Sequence, residues 1–227
     1  MKFKFDIISK ILIYSSLALI VSQIALYLAT LIDGVITSRY LGEEPYIALS
    51  LIGPSLSLLG MLSAVISGGS QILYGRFVGM GEKDKANKVF SLSMIMAIAV
   101  CIVFVILFLV FEEDIFSLCG ITVLKYPTIY SLMEQYLYGY LFGAPALVVI
   151  AVLSPIVIID NNKKLIPISS LVMCVTNICG DLISVFFFNG GLFGIAVASS
   201  MSETIQCLII LLHFISKNCN TKFTFKF

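Results

Sequence analysis

An asparagine and an aspartate, Asn177 and Asp181, lie four residues apart in the otherwise apolar run 174–188. In a helix that spacing places both side chains on one face. A carboxylate near the centre of a membrane helix costs about 2.5–3.5 kcal/mol to insert, so its presence indicates a function. Because a low dielectric disfavours the charged carboxylate, Asp181 can bind a proton, and its oxygens are also hard ligands for sodium.

A second polar stripe lies on the first apolar run of the chain. Gln23 and Thr30 are seven residues apart, and Asp33 follows Thr30 by one helical turn. On the other helix, Ser184 follows Asp181 by three residues and extends the stripe formed by Asn177 and Asp181. A helix that faces lipid would not keep such a stripe, so the two stripes predict a shared polar interior. At about 1.5 Å per residue, Asp33 lies roughly 33 Å and Asp181 roughly 24 Å from the start of its helix, toward the outer leaflet.

The elements that carry these residues are predicted to be membrane helices. Hydrophobic residues make up 59% of the 227 residues and charged residues only 12%, whereas about a quarter of a soluble protein is charged. No alternating ten-residue segments of a membrane barrel occur, which predicts an all-α, polytopic membrane protein with a single domain, 1–227. Runs long enough to span a bilayer lie near 11–32, 47–74, 89–111, 131–159, 165–188 and 191–215.

The distribution of lysine and arginine predicts the sides of the membrane. If both termini are cytoplasmic, only Arg39 and Lys125 of the 14 basic residues fall in outer segments, which agrees with the retention of positive charge in cytoplasmic loops. The net charge of +1 gives no indication of a nucleic-acid partner. The partner expected from composition is the lipid bilayer.

Four further residues are candidates for a role in transport. Glu203 is an acid at mid-membrane depth in the last helix, where it either lines a cavity or pairs within the bundle. Pro54 lies in the second span, and Pro145 and Pro155 lie in the fourth; each removes a backbone hydrogen bond and predicts a bend. Such bends also occur in static bundles, but a transporter can use them as hinges.

Four segments together resemble successive blocks of one transporter family. They are "LIDGVITSRYLGEEPYIALSLIGP" (31–54), "SGGSQILYGRFVGMGEKDKANKVFSLS" (67–93), "GAPALVVIAVLSPIVIIDNNKK" (143–164) and "TNICGDLISVFFFNGGLFGIAVASSMSE" (176–203). Their order and spacing are similar to those of MATE (multidrug and toxic compound extrusion) transporters. The family fold has twelve helices in two six-helix lobes, so the sequence resembles one amino-terminal lobe, with the second lobe absent.

The resemblance implies secondary active efflux from the plasma membrane, with no enzymatic activity and no cofactor besides the coupling ion. Organic, often cationic compounds would be exchanged for protons or sodium. Asp33, Asn177 and Asp181 match the positions at which the family couples transport to the ion, and they are the expected proton or sodium ligands. Thr30 stands where many members have asparagine, and Glu203 stands where an acid is not usual, so the coupling ion stays open.

Three alternatives follow from the same residues. A single lobe would need a second copy or a separate chain to transport, so a non-transporting, half-length subunit or fragment is the first alternative. A lipid-linked flippase of the same superfamily is the second, although it would favour basic residues in its cavity. An intramembrane aspartyl protease would use Asp33 and Asp181, but the usual GxGD pattern fails because Ile178 stands where its first glycine is required.

Overall fold

The structure is a computed structural model that describes residues 7–215 and 221–224. Six helices are long and apolar enough to cross a membrane, and no strand occurs in these two ranges. The predicted all-α fold with six spans is therefore confirmed. The helices are α1 (Ile7–Ile36), α2 (Glu43–Gly79), α3 (Lys83–Val110), the short α4 (Glu112–Leu118), α5 (Pro127–Ile159), α6 (Leu165–Ile183) and α7 (Gly191–Ile215).

The two helices that carry the aspartates end in the same unusual way. A π-helical turn, Thr37–Leu41, follows α1, and another, Ser184–Phe188, follows α6. The rings of Tyr40 and Phe186 bring these turns into contact, with centroids 5.0 Å apart. Because π-helical turns are rare and often mark functional sites, their position just beyond Asp33 and Asp181 points to this end of the bundle.

The bundle is built around α5. This helix packs against α2, α3 and α7, while α7 packs in turn against α6. Val148, Val152 and Ile156 of α5 are fully buried in the apolar core. By contrast, α1 packs mainly against α6, and most of its large apolar side chains are exposed. Those side chains suit a lipid environment.

Small residues let the central helices approach closely. A Cβ atom added at Gly143 of α5 would lie 2.7 Å from the Cα of Ser200 in α7, closer than real Cβ atoms come. Gly180 of α6 has a similar relation to Ala198, where the added atom would lie 2.9 Å from the alanine Cβ. Contacts of small residues such as these join membrane helices through close packing.

The three prolines predicted to act as hinges all lie inside continuous helices. α2 continues past Pro54, and α5 continues past Pro145 and Pro155. Pro155 cannot donate a hydrogen bond to the carbonyl of Ala151, but the hydroxyl of Ser67 in α2 donates to that carbonyl at 2.6 Å. The freed backbone group is thus satisfied by a neighbouring helix, and the hinge role of the prolines stays a prediction.

The two ends of the bundle differ in charge. One end carries Lys83 and Lys85 in the first turn of α3 and Lys163 and Lys164 in the connection from α5 to α6, and we call this the lysine-rich end. The opposite, acid-rich end carries Glu43, Glu44 and the acids of α4. The connection after α2 is only residues 80–82, shorter than the interval 75–88 that separates the second and third predicted spans. Residues 1–6, 216–220 and 225–227, which bear on the placement of the termini, lie outside the described residues.

Candidate cation site

α1 and α6 bring the predicted coupling residues together near the acid-rich end. Ala25 and Ala29 of α1 pack against Met173 and Cys174 of α6 in a small apolar cluster. The two polar stripes continue from this contact. Asp33, Asn177 and Asp181 meet there and are 6%, 2% and 0% exposed, respectively.

A serine of α7 links the two stripes. The amide of Asn177 donates from Nδ2 to Oγ of Ser199 at 3.0 Å, and that hydroxyl donates to Oδ2 of Asp33 at 3.3 Å. Three helices therefore share one hydrogen-bonded chain. The sequence interpretation missed Ser199, and the available signal was its place among the small residues of α7, "AVASSMSE".

The cluster has more acceptor oxygens than donors. Within the described part of the chain, Asp33 Oδ1, Asn177 Oδ1 and both carboxylate oxygens of Asp181 are buried without a hydrogen-bond partner. The hydroxyls of Thr37 and Ser184, which begin the two π-helical turns, are also unpartnered. A buried polar atom without a partner typically costs about 1–3 kcal/mol, so this set of oxygens suits a bound cation or proton.

Among the residues that the structure describes, no basic side chain pairs with the acids of this cluster. Two contacts between acidic and basic side chains are found among the described residues, the ion pair of Lys85 with Glu82 and the hydrogen bond of His213 to Asp160, and neither is at the cluster. The carboxyl groups of Asp33 and Asp181 lie close enough to influence each other. Two uncompensated buried carboxylates are unstable together, so at least one requires a proton or a cation.

An outer cavity of about 680 Å³ opens beside Asp33, between α1, α2 and α5. Tyr136 and Tyr140 of α5 line it, together with Tyr46 of α2. Thr30 also lies in its wall, and the threonine hydroxyl donates to the carbonyl of Leu26. The cavity therefore combines aromatic rings with one carboxylate.

An inner cavity of about 350 Å³ lies closer to the lysine-rich end. The structure places Gln23 of α1 and Glu203 of α7 in its wall. Ser184, the remaining cavity-lining candidate, is 8% exposed and packs against Gly190 and Gly194. It lines neither the inner nor the outer cavity.

The comparisons with known proteins agree with this architecture. The family model MatE matches residues 18–183. The chain belongs to the MatE family. No curated protein gives a significant match to the chain.

Solved MATE structures contain the same lobe. The crystal structure of MATE in the bent conformation matches 95% of this chain with a TM-score of 0.86 and 22% identity, and 47% of that chain is covered. An outward-facing multidrug resistance MATE family transporter of the MOP superfamily matches 96% of this chain with a TM-score of 0.84 and 21% identity, again covering 47% of the longer chain. The chain thus spans about half the length of these MATE structures.

A third similar structure shows that the fold alone does not fix the function. It is a MOP superfamily transporter from Pyrococcus furiosus, in which reverse polarity of the binding pocket suggests a different function. It matches 96% of this chain with a TM-score of 0.82 and 21% identity, and 47% of its own chain is covered. The polarity of the MATE lobe described here must therefore be judged from its own residues.

Proposed function

We propose that this MATE chain is one lobe of a secondary active efflux transporter for organic cations. Binding of a proton or sodium ion at Asp33, Asn177 and Asp181 drives export. The observation that carries the proposal is the set of buried, unpartnered oxygens in this cluster. A purely structural cluster would leave few such atoms, because buried polar groups in proteins are normally hydrogen-bonded.

The position of the cluster gives the ion a route to a conformational change. Neutralising one carboxyl group removes the repulsion between Asp33 and Asp181, which lie on different helices. α1 packs mainly against α6 and has few other neighbours to hold it. We infer that ion binding draws α1 toward α6 and narrows the outer cavity, and that ion release allows the cavity to open again.

The lining of the outer cavity supports a cationic substrate. Asp33 supplies negative charge, and the rings of Tyr46, Tyr136 and Tyr140 supply faces for cation–π contacts. The same carboxylate that binds the coupling ion therefore attracts the substrate, so the two cations compete and are exchanged. A lipid-linked flippase would favour basic residues here, and this observation argues against that alternative.

Transport by this lobe is proposed to need a second six-helix lobe beside it, supplied by a second copy or by another polypeptide segment. The basis is that solved MATE structures are about twice as long as this chain. Reconstitution of this chain alone tests the requirement. Robust efflux of a cationic dye from vesicles that contain protein shown to be monomeric would contradict it.

We propose a plasma-membrane orientation with the lysine-rich end in the cytoplasm, following the charge distribution. Single cysteines at two exposed positions test it. Lys85→Cys should be protected from an impermeant thiol reagent in intact cells, and Lys125→Cys should react. The reverse pattern of labelling would overturn the orientation.

Efflux measured in the complete assembly tests the coupling proposal. Asp181→Asn preserves size but cannot change charge, so it should abolish efflux driven by a proton or sodium gradient while the protein level stays normal. Imposing each gradient separately on wild-type vesicles identifies the ion. Unchanged gradient-driven efflux in Asp181→Asn would reduce Asp181 to a structural residue.

A further inference from the structure

We propose that residues 221–224 form a strap that holds the lysine-rich end of the lobe closed, and that the strap must detach for this end to open during transport. The requirement for opening rests on the proposed function, whereas the strap itself does not. The segment follows α7 in sequence. Its hydrogen bonds reach the lysine-rich ends of α2, α3 and α5.

Two side chains of α3 bind the backbone of the strap. The amide N–H of Lys222 donates to Oδ1 of Asn87 at 2.8 Å, and the amide N–H of Thr224 donates to Oγ of Ser91 at 2.8 Å. Asn87 and Ser91 are one helical turn apart, which is about 6 Å along the axis. Amide groups two residues apart in an extended chain have nearly the same spacing, about 6.6–6.8 Å. The first turns of α3 therefore fit a short extended segment.

Aromatic contacts join the strap to α7 as well. The ring of Phe223 meets the ring of Phe90 in α3 edge to face, with centroids 6.1 Å apart. Phe90 is in turn stacked on Phe214 of α7, with centroids 5.6 Å apart. Since Phe214 lies in the last turn of α7, these rings hold the end of that helix against α3.

Thr221 anchors the other end of the strap. Its hydroxyl contacts the hydroxyl of Tyr74 in α2 and donates to Oδ2 of Asp160, the residue that follows α5. His213 of α7 lies 3.3 Å from the same carboxylate oxygen. A segment of four residues thus joins the ends of four helices, α2, α3, α5 and α7.

The strap acts on two walls of the inner cavity. α5 and α7 line this cavity together with α1 and α6, and α5 and α7 are the two that the strap joins to α2 and α3. While the strap is bound, these two walls cannot move apart at the lysine-rich end. Phe223 is 47% exposed and the contacts lie at one end of the bundle, so the strap can detach without unfolding of the core.

Hydrogen–deuterium exchange of the full chain in lipid nanodiscs tests whether the segment clamps the helices. The amides of 221–224 should exchange slowly in the wild type, and Ser91→Ala should speed their exchange at least about tenfold, because Thr224 loses its acceptor. The faster exchange should extend to the last turns of α5 and α7, while the first turn of α6 keeps its rate. Ser93→Ala is the matched control, since this hydroxyl of the same helix donates to the carbonyl of Val89.

Labelling of a cysteine in the inner cavity tests whether release of the strap opens this end. Ser154→Cys should react with a thiol reagent at least about threefold faster in combination with Ser91→Ala than with Ser93→Ala. A cleavable bifunctional thiol reagent that joins Asn87→Cys to Lys222→Cys should lock the strap. In the complete assembly, this crosslink should lower efflux of a cationic dye at least about tenfold, and cleavage of the reagent should restore it.

The strap and the proposed function fail in different ways. Rapid exchange of 221–224 in the wild type would refute the strap. Faster exchange confined to 221–224 in Ser91→Ala, or equal labelling with Ser91→Ala and Ser93→Ala, would show that the segment does not clamp the helices. Full efflux with the crosslink in place would refute the requirement for release. Asp181→Asn should leave exchange and labelling at wild-type rates although it abolishes ion-driven efflux, so a failure of the ion cluster is distinguished from a failure of the strap.

Discussion

The chain contains two aspartates whose buried side chains have opposite surroundings. Asp160 lies at the lysine-rich end, where its side chain is 3% exposed. Tyr74 donates to its Oδ1 at 3.1 Å, and Thr221 donates to its Oδ2 at 3.2 Å. His213 Nε2 lies 3.3 Å from the same Oδ2, and Nδ2 of Asn162 donates to His213 Nδ1 at 3.1 Å. The histidine proton is therefore on Nε2, and Asp160 receives three hydrogen bonds.

Asp181 lies near the acid-rich end and is fully buried, but neither of its carboxylate oxygens has a hydrogen-bond partner among the described residues. The donors at Asp160 come from α2, α7 and the segment 221–224, so that carboxylate joins elements distant in sequence. The number of hydrogen-bond donors around the carboxylate therefore distinguishes two roles of a buried aspartate. A carboxylate that receives a full set of donors stabilises the fold, whereas one without donors is available to an ion.

The same substitution at the two positions should have opposite effects on stability, and the larger effect is expected at Asp160. Asp160→Asn places an amide donor against groups that already donate. Leaving buried donors unpaired should lower the free energy of unfolding by about 2–3 kcal/mol. For a chain of this length the unfolding temperature of the purified protein should fall by about 5–10 °C. An unchanged temperature would show that the network adds no stability.

Asp181→Asn should instead leave the unfolding temperature unchanged or raise it slightly. Within the described residues, neither oxygen of Asp181 accepts a hydrogen bond from a donor group, and the substitution removes a buried charge from beside Asp33, so a gain of up to about 1 kcal/mol is expected. The measurement is the same thermal unfolding curve, without sodium at pH 8. A loss as large as that of Asp160→Asn would assign Asp181 a structural role.

Removing one donor of the Asp160 network should have a smaller effect. Thr221→Val deletes the hydroxyl that donates to Asp160 and should cost about 1 kcal/mol. Thr176→Val is the matched control, because that hydroxyl donates only to carbonyls of its own helix. Equal losses in the two variants would mean that the hydroxyl of Thr221 contributes nothing through Asp160.

The smallest change in stability is expected at Ser184, which begins the π-helical turn after α6. The hydroxyl of Ser184 is buried and unpartnered, so Ser184→Ala should change the free energy of unfolding by no more than about 0.5 kcal/mol. Thermal unfolding provides the measurement. A loss above about 1 kcal/mol would show that this hydroxyl is hydrogen-bonded in the folded protein.

The sequence predicted the six spans because the length of an apolar run is set by bilayer thickness, which needs no knowledge of packing. It also predicted that acids would meet in a polar interior. The depths estimated for Asp33 and Asp181 differed, however, because the estimate assumed straight helices perpendicular to the membrane. In the structure Ser199 links Asp33 to the stripe of Asp181, so the two stripes meet despite that difference.

Other features could not be predicted from local patterns. The π-helical turns depend on a hydrogen-bond register that no residue type in "TSRYL" or "SVFFF" specifies. The network around Asp160 joins residues up to 147 positions apart, as in the contact of Tyr74 with Thr221. The two sites look alike in sequence, as an aspartate near an asparagine, and only the placement of distant donors distinguishes them.

The central claim is that Asp181 and its neighbours bind a proton or sodium ion. Stabilisation of the folded protein by these ions tests that claim most directly. A ligand at 100 times its dissociation constant stabilises the folded state by about 2.7 kcal/mol. The unfolding temperature of the wild-type chain should therefore rise either with sodium at pH 8 or with acidification in the absence of sodium. Asp181→Asn should lose that response, and Asp160→Asn, although less stable, should keep it. The same responses in wild type and Asp181→Asn would contradict the account.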